Sequence, residues 1–321
     1  MLFPRLGFIA IACLLPPAAT HAEDAPKQPI HFVVGFPPGG SVDLLARSVA
    51  DQLSRKQGVP VVVENHPGAS TNIAAESVAR APADGHTVLV ASDSLAINRS
   101  LFKRITFDPV ASFAPVTLAI LAPQVLALRP GLGVHGPAEY VQKVRAAPHR
   151  MSIALTGTGT IGHLISESIN RAHGLAVNHV PYTGGAAAAR DVVGGHVDGL
   201  YITLPAITSL LRSGELTPVG IASPKRSPAL PDVPTFAETI MPGFELDSWQ
   251  GFLLPAGAPA EVVGHLNHAI ADALHSDPVA RPLRDLGYEI VASTPEQFSA
   301  VIAADVVRFG DIVRASRLQL D

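Results

Sequence analysis

The sequence predicts an α/β protein built on doubly wound sheets, and three observations predict it. Short β-branched runs alternate with amphipathic helical patterns from Ile30 onward. Two strand-to-helix junctions are glycine-rich, Gly35-Phe36-Pro37-Pro38-Gly39-Gly40-Ser41 and Gly157-Thr158-Gly159-Thr160-Ile161-Gly162. Proline and glycine number 29 and 27 in 321 residues, as many tight turns between short elements require. Strands alternating with helices at this spacing argue βαβ units, hence a parallel sheet covered by helices on both faces.

In chain order, 30–35 read as a strand and 42–55 as a helix with Leu45, Val49 and Leu53 on one face. Residues 59–64 form the next strand, Asn65-His66-Pro67-Gly68 a turn, and 72–80 a short helix with Asn72 as its candidate cap. Thr87 to Ala91 is a third strand, after the turn Asp84-Gly85. Residues 116–128 hold two strand-like runs broken at Ala122-Pro123, and a second α/β unit begins near 124. Its strands fall at 151–156, 177–182, 197–203 and 217–222, its helices at 137–147, 163–173, 186–193 and 205–213. A proline-rich loop over 223–234 and a strand over 244–254 follow. Helices are expected at 259–275, 278–286 and 295–316, the last opened by a Thr294 cap and Pro295.

The first 22 residues stand apart. Arg5 precedes a short apolar run and a small-residue ending at Thr20-His21-Ala22, the pattern of a secretory signal cut after Ala22. That run is too short to span a membrane, and no later stretch is long enough either. Cys13, the one cysteine, lies inside the segment; making it a lipidated first residue would cut the apolar run in half. The mature chain then has no thiol, so no disulfide, cysteine nucleophile or zinc–thiolate site is expected. A net charge of −4 without basic blocks excludes a nucleic-acid footprint, and 5 % aromatic residues offer little stacking surface.

The two glycine-rich turns carry the chemistry. A helix start exposes several N–H groups without intrahelical partners, and the helix dipole puts partial positive charge at the same place, which favours an anion. Gly157-x-Gly159-x-x-Gly162 also matches the dinucleotide fingerprint, but the next strand ends Asn178-His179-Val180-Pro181-Tyr182, with no acid for a ribose hydroxyl. Carboxylate or phosphate capture fits the turn better. No Gly-x-Ser-x-Gly elbow supports a hydrolase. His265, His268 and His275 share a helix without carboxylates at ligand spacing, so a solvated face is expected and no metal. His163 either faces a ligand as a donor or caps its helix. Asp43 reads by default as a dipole partner that must point away from a bound carboxylate, in a scaffold or pocket-wall role. Ser92-Asp93-Ser94 ends a strand where doubly wound sheets place ligands, or simply caps a helix over 94–101.

These residues resemble a known family. Phe36-Pro-Pro-Gly-Gly-Ser-Val-Asp43, Val63-Glu-Asn-His-Pro-Gly-Ala69 and Ile73 to Gly85 look like the Bug receptors, the periplasmic solute-binding proteins of tripartite tricarboxylate transporters. The likeness continues through Ala96-Ile-Asn98, Phe107-Asp-Pro109, Gly157 to Leu164, His179-Val-Pro-Tyr182, Gly194-Gly-His-Val-Asp198, Arg226 to Thr235 and Trp249-x-Gly251. It implies a type II periplasmic-binding clam-shell with two doubly wound sheets: domain 1 from 23–123 plus 246–321, domain 2 from 124–245. It further implies a small organic carboxylate held between Phe36, Pro38, Gly39, Gly40 and Ser41 on one side and Thr156, Gly157, Thr158, Gly159, Thr160 and His163 on the other. Ser92 and Asp93 lie near the pocket mouth in this reading, and Tyr182 and Thr203 also face the ligand.

Two departures from the family pattern bear on the ligand. Thr183 stands where a lysine often follows Val-Pro-Tyr, and Tyr201-Ile202-Thr203 lacks an aspartate often found after that aromatic. The missing carboxylate argues against an amino-acid ligand, whose ammonium would need it. The expectation is a periplasmic, monomeric, non-catalytic receptor without a cofactor, serving a tripartite transporter's membrane components or a sensor. The alternative is an exported α/β enzyme acting on a small carboxylate.

Overall fold

A computed structural model describes residues 28–320; the expected signal segment and Cys13 lie outside the described residues. The first half builds β1 (Ile30–Val34), α1 (Ser41–Gln57), β2 (Val61–Asn65), α2 (Asn72–Ala79), β3 (Thr87–Ser92), α3 (Ser94–Leu101) and β4 (Phe113–Ala122). The middle adds β5 (Gln124–Leu128), α4 (Pro137–Ala146), β6 (Ser152–Leu155), α5 (Ile161–His173), β7 (Asn178–Pro181), α6 (Gly185–Val193), β8 (Gly199–Thr203), α7 (Leu204–Arg212), β9 (Thr217–Ile221) and α8 (Phe236–Thr239). The chain ends with β10 (Ser248–Pro255), α9 (Ala260–His275), α10 (Asp277–Leu286), β11 (Glu289–Ile290) and α11 (Pro295–Ala315).

These strands form two sheets, β11-β4-β10-β3-β1-β2 and β7-β6-β8-β5-β9. The parallel expectation holds for β2-β1-β3 and for β7-β6-β8. Both sheets are nevertheless mixed, because β10 runs antiparallel to β3 and β4, and β5 runs antiparallel to β8 and β9. β11 also runs antiparallel to β4, while β5 and β10 are the strands that follow the two crossings between the sheets. The chain crosses once at Pro123, between β4 and β5, and once through the segment from Ala222 to Asp247. The crossings are stitched by Leu204 N–H to Pro123 O at 2.8 Å, Ala222 N–H to Gln124 O at 2.9 Å and Leu246 N–H to Ala222 O at 2.8 Å.

Alternating burial gives each sheet two packed faces. Phe32, Val42, Leu45, Val49, Phe252 and Ile270 fill one face of the first sheet. Ala154, Ala188, Val192, Leu200 and Ile207 fill one face of the second. The third core is shared: Val33, Leu89 and Leu95 join Leu126, Ile153 and Tyr201 around Trp249, Phe298 and Phe309. Trp249 packs edge-on against Phe298 at 5.2 Å and donates its indole N–H to Asp305 at 2.8 Å.

Three local expectations change. Asn72 is the first residue of α2 rather than its cap; its Oδ1 accepts from Asn98 Nδ2 at 2.8 Å. The strand expected from 244 starts at Ser248, because Phe244 N–H closes a turn on Met241 O. The short α8, unread in the sequence, is held by a reciprocal box between Thr235 and Glu238. The Thr294 cap and Pro295 start of α11 stand as expected. No helix among the described residues is long and apolar enough to cross a membrane.

Candidate functional site

Both glycine-rich loops leave the C-terminal ends of parallel strands, β1 and β6, the edge where open α/β sheets place ligands. They are built alike. Gly39 has φ +87° and Gly159 φ +77°, left-handed values that glycine adopts without a Cβ penalty. Each is followed by an N-cap residue, Gly40 or Thr160, that makes no side-chain cap. The first-turn N–H groups of α1 and α5 therefore project from their helices uncapped.

In the first loop, Gly39 N–H donates to Asp43 Oδ2 at 2.9 Å. Arg47 Nε reaches the same oxygen at 3.0 Å, and Asn65 Nδ2 donates to Asp43 Oδ1 at 2.9 Å and to Phe36 O at 3.0 Å. Burial alone would raise the Asp43 carboxyl, but the bonds from Arg47, Gly39 and Asn65 together hold it below the usual carboxylate range. Asp43 is thus scaffold, one of the two roles its position suggested. Phe36 is half-buried, while Pro38, Gly39, Gly40 and Ser41 are exposed. Gly35 admits no side chain, since a Cβ would meet Thr71 Cβ at 2.7 Å.

In the second loop, Gly159 N–H donates to His163 Nδ1 at 3.1 Å, and Thr160 Oγ1 donates to Gly157 O at 2.9 Å. Gly159 rests on α3 of the other half: a Cβ there would meet Leu101 Cδ2 at 2.3 Å. Thr156 and Gly157 are half-buried and Thr158 is exposed. His163, read from the sequence as either ligand-facing or a cap, has its ring tied to its own loop. It is buried, with Nδ1 accepting from Gly159 and Nε2 toward Glu167 Oε1 at 3.8 Å, and so holds the loop. Tyr182 is likewise turned to its own half, its hydroxyl donating to Asp191 Oδ2 at 2.6 Å; burial first and then Asp191 push it up to about 12. Thr203 is half-buried and opens α7 without a side-chain cap.

Ser92 and Asp93 sit at the C-terminal end of β3, both buried. Ser92 Oγ bonds Ser94 Oγ at 3.1 Å and accepts from Ser94 N–H at 3.3 Å. Asp93 does not cap α3 with its side chain; its carboxyl is pushed up to about 7 by burial, with Asp305 adding repulsion and Ser248 and Ser92 offsetting part. Asp93 Oδ2 has no hydrogen-bond partner.

Sequence reasoning missed the side chains that reach these loops from distant segments. Gln250 on β10, aligned with Ser92, donates from Nε2 to Ser41 Oγ at 2.9 Å, and its Oε1 is buried without a partner. Tyr288 also hydrogen-bonds Ser41; burial, the larger effect, raises its phenol. Gln250 lies within the Trp249-x-Gly251 motif, and the four-residue steps Gly39–Asp43–Arg47 and Gly159–His163–Glu167 stand in the sequence, so the signals existed. The direction of β10 was needed to use the first of them.

A cavity of about 390 Å³ opens elsewhere, among Ile30, Gln57, Asp84, His86 and Val262. It lies at the N-terminal edge of β1, opposite the Gly39 loop, where parallel sheets do not bind ligands. His268 and His275 bond back to the carbonyls of Gly264 and Ala271 at 2.7 and 2.8 Å, as helix-surface histidines.

Two mixed α/β halves joined by two crossings, each presenting an uncapped helix start at its strand edge, define the architecture of a bilobed solute-binding protein. A family model for the tripartite tricarboxylate transporter family receptor matches residues 45–318. The chain belongs to this family, the Bug receptors. It is 33 % identical to Rpa4515 of R. palustris, solved with adipate, over 92 % of this chain and 100 % of that one, with a TM-score of 0.83. The periplasmic binding protein BugD is 30 % identical over 92 % and 100 % of the two chains, with a TM-score of 0.81. MatC of Rhodopseudomonas palustris, solved with bound malate, is 29 % identical over 90 % and 100 %, with a TM-score of 0.79.

Proposed function

We propose that this receptor works in the periplasm, where it captures a small organic carboxylate between the loops 36–41 and 156–160. The observation that carries this reading is the pair of matched helix starts, each with a left-handed glycine, no side-chain cap and an inward-held side chain at the third helical position. Such N–H groups are preorganised for a carboxylate, and the bonds strengthen once a cleft closes over them and excludes water. The domains proposed are 23–123 with 246–321, and 124–245, hinged at the crossings around Pro123 and between Ala222 and Ser248.

The adipate and malate of the two relatives point to an aliphatic or hydroxylated dicarboxylate. The absence of an acid at Ile202 and Thr203 favours a ligand without an ammonium group. Gln250, with an unpaired Oε1 beside Ser41, suits a hydroxyl or amide on that ligand. The receptor acts as a monomer without a cofactor, handing its ligand to a tripartite transporter's membrane components or to a sensor. Calorimetry with succinate, adipate, malate, aspartate and glutamate tests the reading. Binding of the plain or hydroxylated diacids, with aspartate and glutamate weak, is expected; tight binding of the amino acids alone would overturn the ligand class.

A further inference from the structure

The two loops are held by side chains in matching positions but of opposite chemistry. Gly39 N–H meets an aspartate, Asp43, whose partner one turn on is a cation, Arg47. Gly159 N–H meets a histidine, His163, whose partner one turn on is an acid, Glu167. Asn65 supports the first set from β2, and His179 supports the second from β7, with its Nδ1 at 3.2 Å from Glu167 Oε1.

The Gly159 bond settles the protonation of His163. A backbone N–H can donate only to a lone pair, so Nδ1 is unprotonated and the proton of the neutral ring sits on Nε2. Nε2 points at Glu167, the same oxygen that receives His179. The buried Ser166 Oγ lies 2.8 Å from His179 Nε2, and the two rings meet edge-on at 5.0 Å. The His163 and then the His179 ring, outweighing burial, hold Glu167 down at about 2, so it is an anion, with His179 Nδ1 at 3.2 Å and His163 Nε2 farther off at 3.8 Å.

We infer that Glu167, with His179 beside it, is a positioning residue for ligand capture: it keeps the His163 proton on Nε2, leaves Nδ1 to accept from Gly159, and so sets the second loop. The inference rests on the reading of 156–160 as one side of the carboxylate site.

The same geometry bears on one other occupant. The ligand atoms of His163, Glu167 and His179 lie within 4.8 Å of one another, a spacing that a divalent metal could bridge. A metal on Nε2 needs the lone pair there and moves the ring proton to Nδ1, against Gly159 N–H. Two donors would then face each other, so a metal at Nε2 and the observed loop exclude one another.

Long-range ¹H–¹⁵N spectra of the histidine-labelled mature chain read the tautomers directly. His163 is expected with its proton on Nε2 and His179 with a proton on Nδ1; His163 protonated on Nδ1 alone would overturn the proposal. Calorimetry with adipate and malate as probes should show Glu167→Gln weakened about tenfold or more, as loss of a charged acceptor implies. The double change His163→Asp with Glu167→Arg copies Asp43 and Arg47, and should bind more tightly than His163→Ala. Unchanged affinity in Glu167→Gln, or stoichiometric zinc held by His163 without loss of affinity, would also overturn it. A parent that binds neither probe sinks the site reading instead, and the tautomer spectrum still decides the lock.

Discussion

Loop 36–41 and loop 156–160 solve one backbone problem with different charges. Both need a left-handed glycine whose N–H is tied down by the third residue of the following helix. Asp43 does this as an anion balanced by Arg47, which is half exposed, so its charge is shared with solvent. His163 does it as a neutral ring balanced by Glu167, next to the shared core and against α3. The difference teaches that the second loop is coupled to the packing between the halves while the first is held within its own half. A Cβ on Gly39 meets nothing within 4 Å, whereas one on Gly159 runs into Leu101.

Valine at each glycine should break that symmetry most strongly. Gly159→Val combines left-handed strain with overpacking against Leu101 and is expected to cost about 4 kcal/mol, with loss of binding. Gly39→Val carries the strain alone, about 1–2 kcal/mol, and should abolish binding while the fold persists. Urea denaturation with calorimetry checks both; equal destabilisation would mean the loops are equivalent after all.

The acids near the two loops should differ in the sign of their pH dependence. Asp93, raised to about 7, contributes stability that is complete below its unfolded value near 3.8 and lost as pH rises through about 7. Asp93→Asn should therefore retain more stability than the parent above pH 7, by up to roughly 4 kcal/mol. Asp247, raised to about 6 mainly by burial, titrates in the same window in both proteins and cancels from the comparison. Glu167, lowered to about 2, contributes stability that is complete above 4.5 and lost as pH falls through about 2. Glu167→Gln should remove up to roughly 3 kcal/mol of that acid-sensitive stability. Denaturation midpoints across pH read both slopes, and slopes of the same sign would refute the contrast.

The smallest effect concerns the cap itself. Gly40 has open space around its Cβ position, with only Pro37 O at 3.7 Å. Gly40→Ser supplies an N-cap oxygen and should gain a few tenths of a kcal/mol in stability. It should also weaken carboxylate binding several-fold, because the hydroxyl takes N–H groups the ligand needs. Tighter binding would show that the first loop does not hold the carboxylate through those groups.

The alternation of strands and helices, the two glycine-rich junctions and the Thr294 start of α11 were all legible in the sequence, because each depends on spacing within about twenty residues. The roles of Asp43 and His163 were legible only as pairs of alternatives. Which member of each pair holds depends on partners from other elements, Asn65 for one and His179 for the other. Gln250 and Tyr288 lie more than two hundred residues from Ser41, and local pattern carries no register across that distance.

The sequence by itself determined the α/β class, the two turns that share one chemistry and the family likeness. These follow from side-chain periodicity and from glycine's freedom at positive φ, both properties of short segments. Tertiary structure alone decided that β5 and β10 run antiparallel after crossing between the sheets. It also decided that the second loop leans on Leu101 and that His163 turns inward to Gly159 and Glu167. Those outcomes come from packing two hydrophobic faces into one shared core, where the direction of a strand and the acceptor of a buried N–H are set by what lies opposite.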